Sequence, residues 1–383
     1  MTVQTFFCPT RIYTGVDAHE GISDILASFG SERIFIAADR AVLDSDIMRR
    51  IRDAVVARGI VSTVFSDIEP DPSDVTVTKA FDACRQHRAT SILALGGGST
   101  IDLAKAVGIL MTNGGRIHDY EGIEIFKTPP LPLIAIPTTA GTGSEVSGSC
   151  VITDTTRNLK MSIRHAALNP ARVAILDPLA LVTMPAEVAM HSGMDAFVHA
   201  FESYVARNAN PFTDALNLRA IELIANNIRA FVADRTNLAA GAAMLNGSAM
   251  AGMAFGLTGL GNVHCMARFV GAFFHVPHGL SNAVCLARVA AFNRPAAVER
   301  YARLAEILAP RAGSNAEQAS HATVAAITTL CSDLGVPSTL RAIGADPDRF
   351  AEMADLCLQA GYNKWNPRET TRDDFLRLLQ EAY

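Results

Sequence analysis

The sequence predicts a chain in two parts: an α/β first half built on a parallel sheet, then an all-helical second half. Three observations carry this. At 383 residues the chain exceeds one compact core of ordinary size, so two domains are expected. From Arg11 to Leu176 short apolar runs alternate with stretches of helical apolar spacing, the pattern of strands joined by crossover helices. Beyond about residue 180 the alternation stops, which places the boundary between units 1–182 and 183–383.

Taken in order, Arg11–Gly15 reads as a first strand and Arg33–Ala38 as a buried one. Asp46–Arg58 has helical spacing and stops at Gly59. Val61–Phe65 is the next strand, Ser73–His87 the next helix, and Ser91–Leu95 a third buried strand. A helix follows over Thr100–Leu110, then strands Leu133–Ile136 and Val173–Leu176. In the second half, helices are expected over Pro185–Ala206, Pro211–Arg229, Ala296–Leu308, Asn315–Leu334 and Arg372–Ala382. Between Thr236 and Ala267 there is no Asp, Glu, Lys or Arg, a length that admits a transmembrane reading. Its Asn, Ser and Thr residues and six glycines favour a buried helix pair of a soluble domain.

Composition narrows the function classes. A net charge of −5 without a dense Lys/Arg cluster offers no footprint for nucleic acid. The N-terminal Met1–Thr10 has no basic region and no long apolar run, so no secretory signal is expected. The seven cysteines are scattered, never in a Cys-x-x-Cys pair, which suits free thiols in a reducing cytoplasm.

Two loops at expected strand ends carry binding chemistry. Gly96-Gly97-Gly98-Ser99 lets backbone approach a bulky anion and opens a helix, the form of a diphosphate cradle. The bland alternative is a tight turn with Ser99 as N-cap and Asp102 completing a capping box. Pro137–Glu145 packs four hydroxyls and two glycines into a loop suited to phosphate and ribose oxygens. Two such loops after neighbouring strands suit one extended ligand, and a dinucleotide has that shape. Asp39, ending the second strand, stands where a carboxylate accepts from a ribose 2′-hydroxyl and repels a 2′-phosphate, favouring NAD over NADP.

The second half supplies metal-ligand types. Asp195 and His199, four apart, share one helix face, with His191 a turn earlier as a further contact. His264, His275 and His278 fall in an apolar stretch, and neutral imidazole is the commonest protein metal ligand. Asp195 with His199, His264 and His278 forms an N/O set suited to Fe(II) or Zn(II).

These motifs together resemble the iron-containing (group III) alcohol dehydrogenases. The likeness rests on Gly-Gly-Gly-Ser-x-x-Asp-x-x-Lys from Gly96 to Lys105, Pro-Thr-Thr-Ala-Gly-Thr-Gly-Ser-Glu at 137–145, and Gly-Met-Asp-Ala-x-x-His-Ala-x-Glu at 193–202. It extends to His264 with Pro277-His278-Gly279, and to Asn366-Pro367-Arg368. The resemblance implies a Rossmann-like nucleotide domain and a helical domain, the dehydroquinate synthase-like architecture, with the active site in the cleft between them. It implies that Asp195, His199, His264 and His278 hold Fe(II), or Zn(II). It also implies that Asp39, Gly97, Gly98, Ser99, Asp102, Thr138, Thr139, Thr142, Val151 and Lys160 contact NAD, and that the protein is a cytoplasmic homo-oligomer, a dimer or larger.

The implied activity is metal-assisted hydride transfer between a small alcohol or aldehyde and the nicotinamide. One departure stands out. Many members carry a second histidine four residues after the one matching His264, and here that position is Arg268. Arginine cannot act as a general base. The displaced proton then leaves through water, a cofactor ribose hydroxyl or His275. Arg268 is suited instead to a carboxylate or phosphate, so an anionic hydroxy acid or semialdehyde is the alternative substrate. A lyase like dehydroquinate synthase is the remaining rival.

Overall fold

The computed structural model describes residues 5–313 and 315–383; the start of the segment read above as lacking a signal lies outside them. The α/β half holds β1 (Arg11–Thr14), α1 (Ile22–Ser28), β2 (Arg33–Ala38), α2 (Asp46–Ala57), β3 (Val61–Phe65), α3 (Asp74–His87), β4 (Ser91–Gly96) and α4 (Gly98–Asn113). It continues with β5 (Gly122–Ile123), β6 (Leu133–Pro137), β7 (Ser149–Asp154), β8 (Leu159–Arg164) and β9 (Val173–Leu176). Six strands form one parallel sheet in the order β1-β9-β6-β4-β2-β3.

The period of two in these strands divides the core between the sheet's faces. Ile34, Ile36, Leu93, Leu95, Ile134 and Ile136 pack with Ile47, Met48, Ile51 and Val55 of α2. Phe35, Ala37, Ile92, Ala94 and Ala135 pack with Val77, Ala80 and Cys84 of α3 and with Ile101 and Ala104 of α4. The connections leaving β2 and β4 therefore run to opposite faces. That divergence opens a crevice at the carboxyl ends of these neighbouring strands, where open α/β sheets bind ligands.

The sequence reading missed a second sheet, β5-β8-β7, in which β7 and β8 are antiparallel. It also missed α1. The helix after the glycine loop begins at Gly98 rather than Thr100.

The helical half holds α5 (Ala186–Val205), α6 (Pro211–Ala233), α7 (Leu238–Thr258), α8 (Asn262–Phe274), α9 (His278–Asn293), α10 (Val298–Leu308), α11 (Ala316–Asp333), α12 (Phe350–Gln359) and α13 (Arg372–Ala382). Of these, α9 and α12 were not foreseen. By compactness the chain divides into residues 5–185 with 235–249, and residues 186–234 with 250–383, so α7 is shared between units. α7 is long and apolar enough to cross a membrane by length and composition, yet 56% of its most apolar window is buried within the protein.

Candidate metal centre and dinucleotide loops

The uncharged run of the helical half breaks at Gly259–Gly261, and α8 restarts there under side-chain control. Gly261 lies so close to Glu202 and Asn366 that an added Cβ would stand 2.9 Å from an oxygen of each. Asn366 Oδ1 accepts the Asn262 N–H, and the Glu202 carboxylate accepts the N–H groups of Val263 and His264. The Asn366-Pro367-Arg368 motif therefore seats the start of α8 and with it His264.

Glu202 also fixes the imidazole. Its Oε2 lies 2.7 Å from His264 Nδ1, which leaves Nε2 directed elsewhere. Asp195 Oδ1 lies 3.5 Å from His264 Nε2, 3.7 Å from His278 Nε2 and 3.9 Å from His199 Nε2. Asp195, His199 and His264 are buried. His199 is stacked between Phe255, at 4.3 Å between ring centres, and His264, at 4.6 Å. His278 opens α9 directly after Pro277 and is half-exposed.

The ligand atoms of Asp195, His199 and His264 all lie within 4.8 Å of one another, a spacing that suits one ion, and His278 adjoins them through Asp195. Ligand atoms about 2.1 Å from a tetrahedral metal lie roughly 3.4 Å from one another. The polar balance points the same way. The Asn282 Nδ2 amide lies 2.7 Å from Asp195 Oδ1 and 3.2 Å from both His264 Nε2 and His278 Nε2, while its own Oδ1 is buried without a partner. With the imidazoles neutral, an NH2 group has two hydrogens for three acceptors, and the lone pairs left over suit a cation. Burial works to raise Asp195, but His199, His278 and His264 hold its carboxyl well below the usual range. Burial opposes charge on His264, yet hydrogen bonds to Asp195 and Glu202 raise it to about 9. The residues fit a divalent cation.

The α/β unit brings the two predicted loops together. Asp39 accepts from the Gly97 N–H at 3.0 Å and from the Thr100 hydroxyl, and Thr138 Oγ1 lies 3.5 Å away. Ser99 is not an N-cap: α4 begins at Gly98, Gly97 occupies the cap position, and no side chain caps the helix. The Ser99 hydroxyl instead accepts the Asp71 N–H, and Asp102 does not close a capping box. Asp102 accepts from the Ser144 hydroxyl at 2.5 Å and the Val151 N–H at 2.9 Å, which ties α4 to the second loop and β7. The uncapped first turn of α4 leaves backbone N–H groups for an anion. Gly98 is also a packing necessity, because a Cβ there would press on Thr142 at 2.8 Å. Gly97 has only ordinary contacts, the nearest with Thr139 at 3.4 Å. Lys160, on β8, pairs with Asp71 at 2.8 Å.

Residues 9–178 match the family described as iron-containing alcohol dehydrogenase, and residues 189–383 match the Fe-containing alcohol dehydrogenase family, C-terminal. The chain belongs to the iron-containing alcohol dehydrogenases. It is 35% identical to 1,3-propanediol dehydrogenase of Klebsiella pneumoniae, over 99% of this chain and 98% of that one. It is also 35% identical to the NAD-dependent methanol dehydrogenase of Bacillus methanolicus, over 98% and 99% respectively. A crystal structure of 1,3-propanediol oxidoreductase superimposes with a TM-score of 0.96 at 34% identity, covering 100% of both chains. As an iron-containing alcohol dehydrogenase the protein is an oxidoreductase acting on CH–OH groups.

Within this dehydrogenase two residues beside the cluster went unassigned in the sequence. Glu202 lies three residues after His199 and seven after Asp195, on the same helix face, and that spacing was the available signal. Asn282 lies four after His278 in a helix that was not foreseen, so no signal reached it. His191 turns away, with its Nε2 3.9 Å from Glu187 Oε1. His275 ends α8 in a left-handed conformation, φ 56°, and no hydrogen bond or ring contact among the described residues joins it to the cluster.

Proposed function

We propose that this chain is a cytoplasmic, homo-oligomeric, NAD-linked and Fe(II)-dependent dehydrogenase that interconverts short primary alcohols and their aldehydes. The carrying observation is that ligand atoms of Asp195, His199 and His264 lie within 4.8 Å of one another, with His278 Nε2 3.7 Å from the same Asp195 oxygen. Lewis acidity at the substrate oxygen is what the bound ion supplies, easing loss of the hydroxyl proton in oxidation and polarising the carbonyl in reduction.

The protein's own residues do the rest. Glu202 holds the His264 tautomer, and the Phe255 ring holds His199 in plane. The open first turn of α4 and the hydroxyls of Thr138, Thr139 and Thr142 receive the diphosphate and its ribose. Asp39 spends part of its carboxylate on Gly97 and Thr100 and keeps lone pairs for a ribose 2′-hydroxyl, which favours NAD over NADP. The lyase alternative gains no support from the relatives that span the whole chain, which are named as dehydrogenases.

The test is NADH formation from 1,3-propanediol by anaerobically prepared protein, before and after chelation and after adding back Fe(II) or Zn(II). Activity lost with the metal and restored by Fe(II) is expected. Full activity in metal-free protein refutes the reading.

A further inference from the structure

Arg268 follows His264 by one turn of α8, so the two side chains leave the same helix face. It is half-buried, and its guanidinium carbon lies 5.8 Å from the ring centre of Phe269. Among the described residues it has no ion pair and no hydrogen bond. Other arginines of the same unit behave differently. Arg294 pairs with Glu317, Arg300 with Asp214 and Arg372 with Asp355. On α8 the residues around Arg268 are Ala267, Phe269 and Val270, none of which carries a side-chain acceptor. A guanidinium presents a planar fork of donors matched to a carboxylate, and partial burial makes leaving that fork unfilled costly.

We propose that Arg268 is the specificity residue for an anionic substrate, a short hydroxy acid or its semialdehyde, and binds its carboxylate bidentately. Side chains four apart on a helix are neighbours, so a guanidinium at 268 and a reacting carbon held beside His264 can address the two ends of one short substrate. The proposal rests on the dehydrogenase reading, which places the reacting carbon at the metal cluster. It also accounts for a cation where a proton-transferring imidazole was expected: the position recognises charge and does not move protons.

Two measurements decide it. The first compares kcat/KM for butanal and 4-oxobutanoate, matched in carbon number and differing in the terminal carboxylate, in wild type, Arg268→Lys, Arg268→Gln and Arg268→Ala, all Fe(II)-loaded. Wild type favours 4-oxobutanoate, and the preference falls about 10- to 100-fold in the Gln and Ala variants, chiefly through KM, the worth of a charged hydrogen-bonded contact. Arg268→Lys recovers part of it. The second is calorimetric titration with succinate, which needs no turnover: binding seen in wild type is lost in Arg268→Ala. A preference unchanged by Arg268→Ala, or succinate binding that ignores the substitution, overturns the proposal. Inactivity of wild type on both aldehydes defeats the dehydrogenase reading instead, and the succinate titration then decides Arg268 by itself.

Discussion

Glu202 has no atom at the centre of the metal cluster, yet three of its contacts fix a residue that does. Its carboxylate accepts hydrogen bonds from His264 Nδ1–H and from the N–H groups of Val263 and His264, so it sets both the tautomer and the position of the ring. Such a partner raises ligand basicity, and removing its charge typically lowers metal affinity about 10- to 100-fold. Glu202→Gln keeps the shape and one acceptor. Its Fe(II) affinity, read by competition with a chromophoric chelator, should fall by that factor while the fold persists. An unchanged affinity would reduce Glu202 to a helix cap. The candidate ligands were legible because imidazoles in an apolar run need an explanation. Glu202 was legible only as spacing, and Asn282 not at all, since a neutral amide inside a helix carries no signal of what it faces. Ser99 was ambiguous for a related reason: a serine after glycines admits an N-cap beside the phosphate cradle, and only the start of α4 at Gly98 excludes the cap.

At the scale of elements, the strands of the large sheet were readable because both faces are buried and the runs are continuously apolar. The β7–β8 hairpin escaped because its residues alternate polar and apolar around the Thr155–Asn158 turn, and half-exposed strands read as loop. α9 escaped because it begins at His278 without a side-chain cap to mark its start. Its docking gives a test by sign. Alanine normally stabilises a helix over glycine by about 0.5–1 kcal/mol. Gly256 is exposed on α7, and a methyl added there would meet nothing within 4 Å, so Gly256→Ala should raise stability by that amount. At Gly279 a Cβ would run into the His191 carbonyl of α5, so Gly279→Ala should lower stability by about 1–3 kcal/mol instead. Because Gly279 adjoins His278, Fe(II) affinity should fall with it. Denaturant melts and metal titrations of the two variants check both signs, and a stabilising Gly279→Ala would mean α9 is not seated on α5 as described.

For the whole molecule, the change of pattern near residue 180 located the passage from sheet to helices, but it did not reveal that residues 235–249 belong with the α/β unit. An uncharged helix buried along most of its length gives the same apolar pattern whichever unit it serves. Charge hidden inside the α/β unit is equally silent in sequence, and it makes stability depend on pH. Glu145 is fully buried, and burial pushes its carboxyl up to about 7. Burial likewise raises Asp102. Lys105, buried beside them with its Nζ on the carbonyls of Ser147 and Ser149, is lowered by the same cause. Between the ordinary glutamate value of 4.5 and about 7 the folded chain keeps a proton on Glu145 that the unfolded chain releases. The native state binds more protons there, so this group's contribution to stability is greatest at the acid end and falls as pH rises, by up to about 3 kcal/mol across the window. Lowered carboxylates such as Asp355 and Asp374 act with the opposite sign, and they are present in wild type and variant alike. The difference in Tm between Glu145→Gln and wild type therefore isolates the buried group. It should grow in the variant's favour from pH 5 to pH 7.5, because glutamine mimics the protonated acid at every pH. A difference independent of pH would show that Glu145 folds with its charge, paired to Lys105, and that the loop carrying Thr138, Thr139 and Thr142 is held by an ion pair and not by a neutral acid.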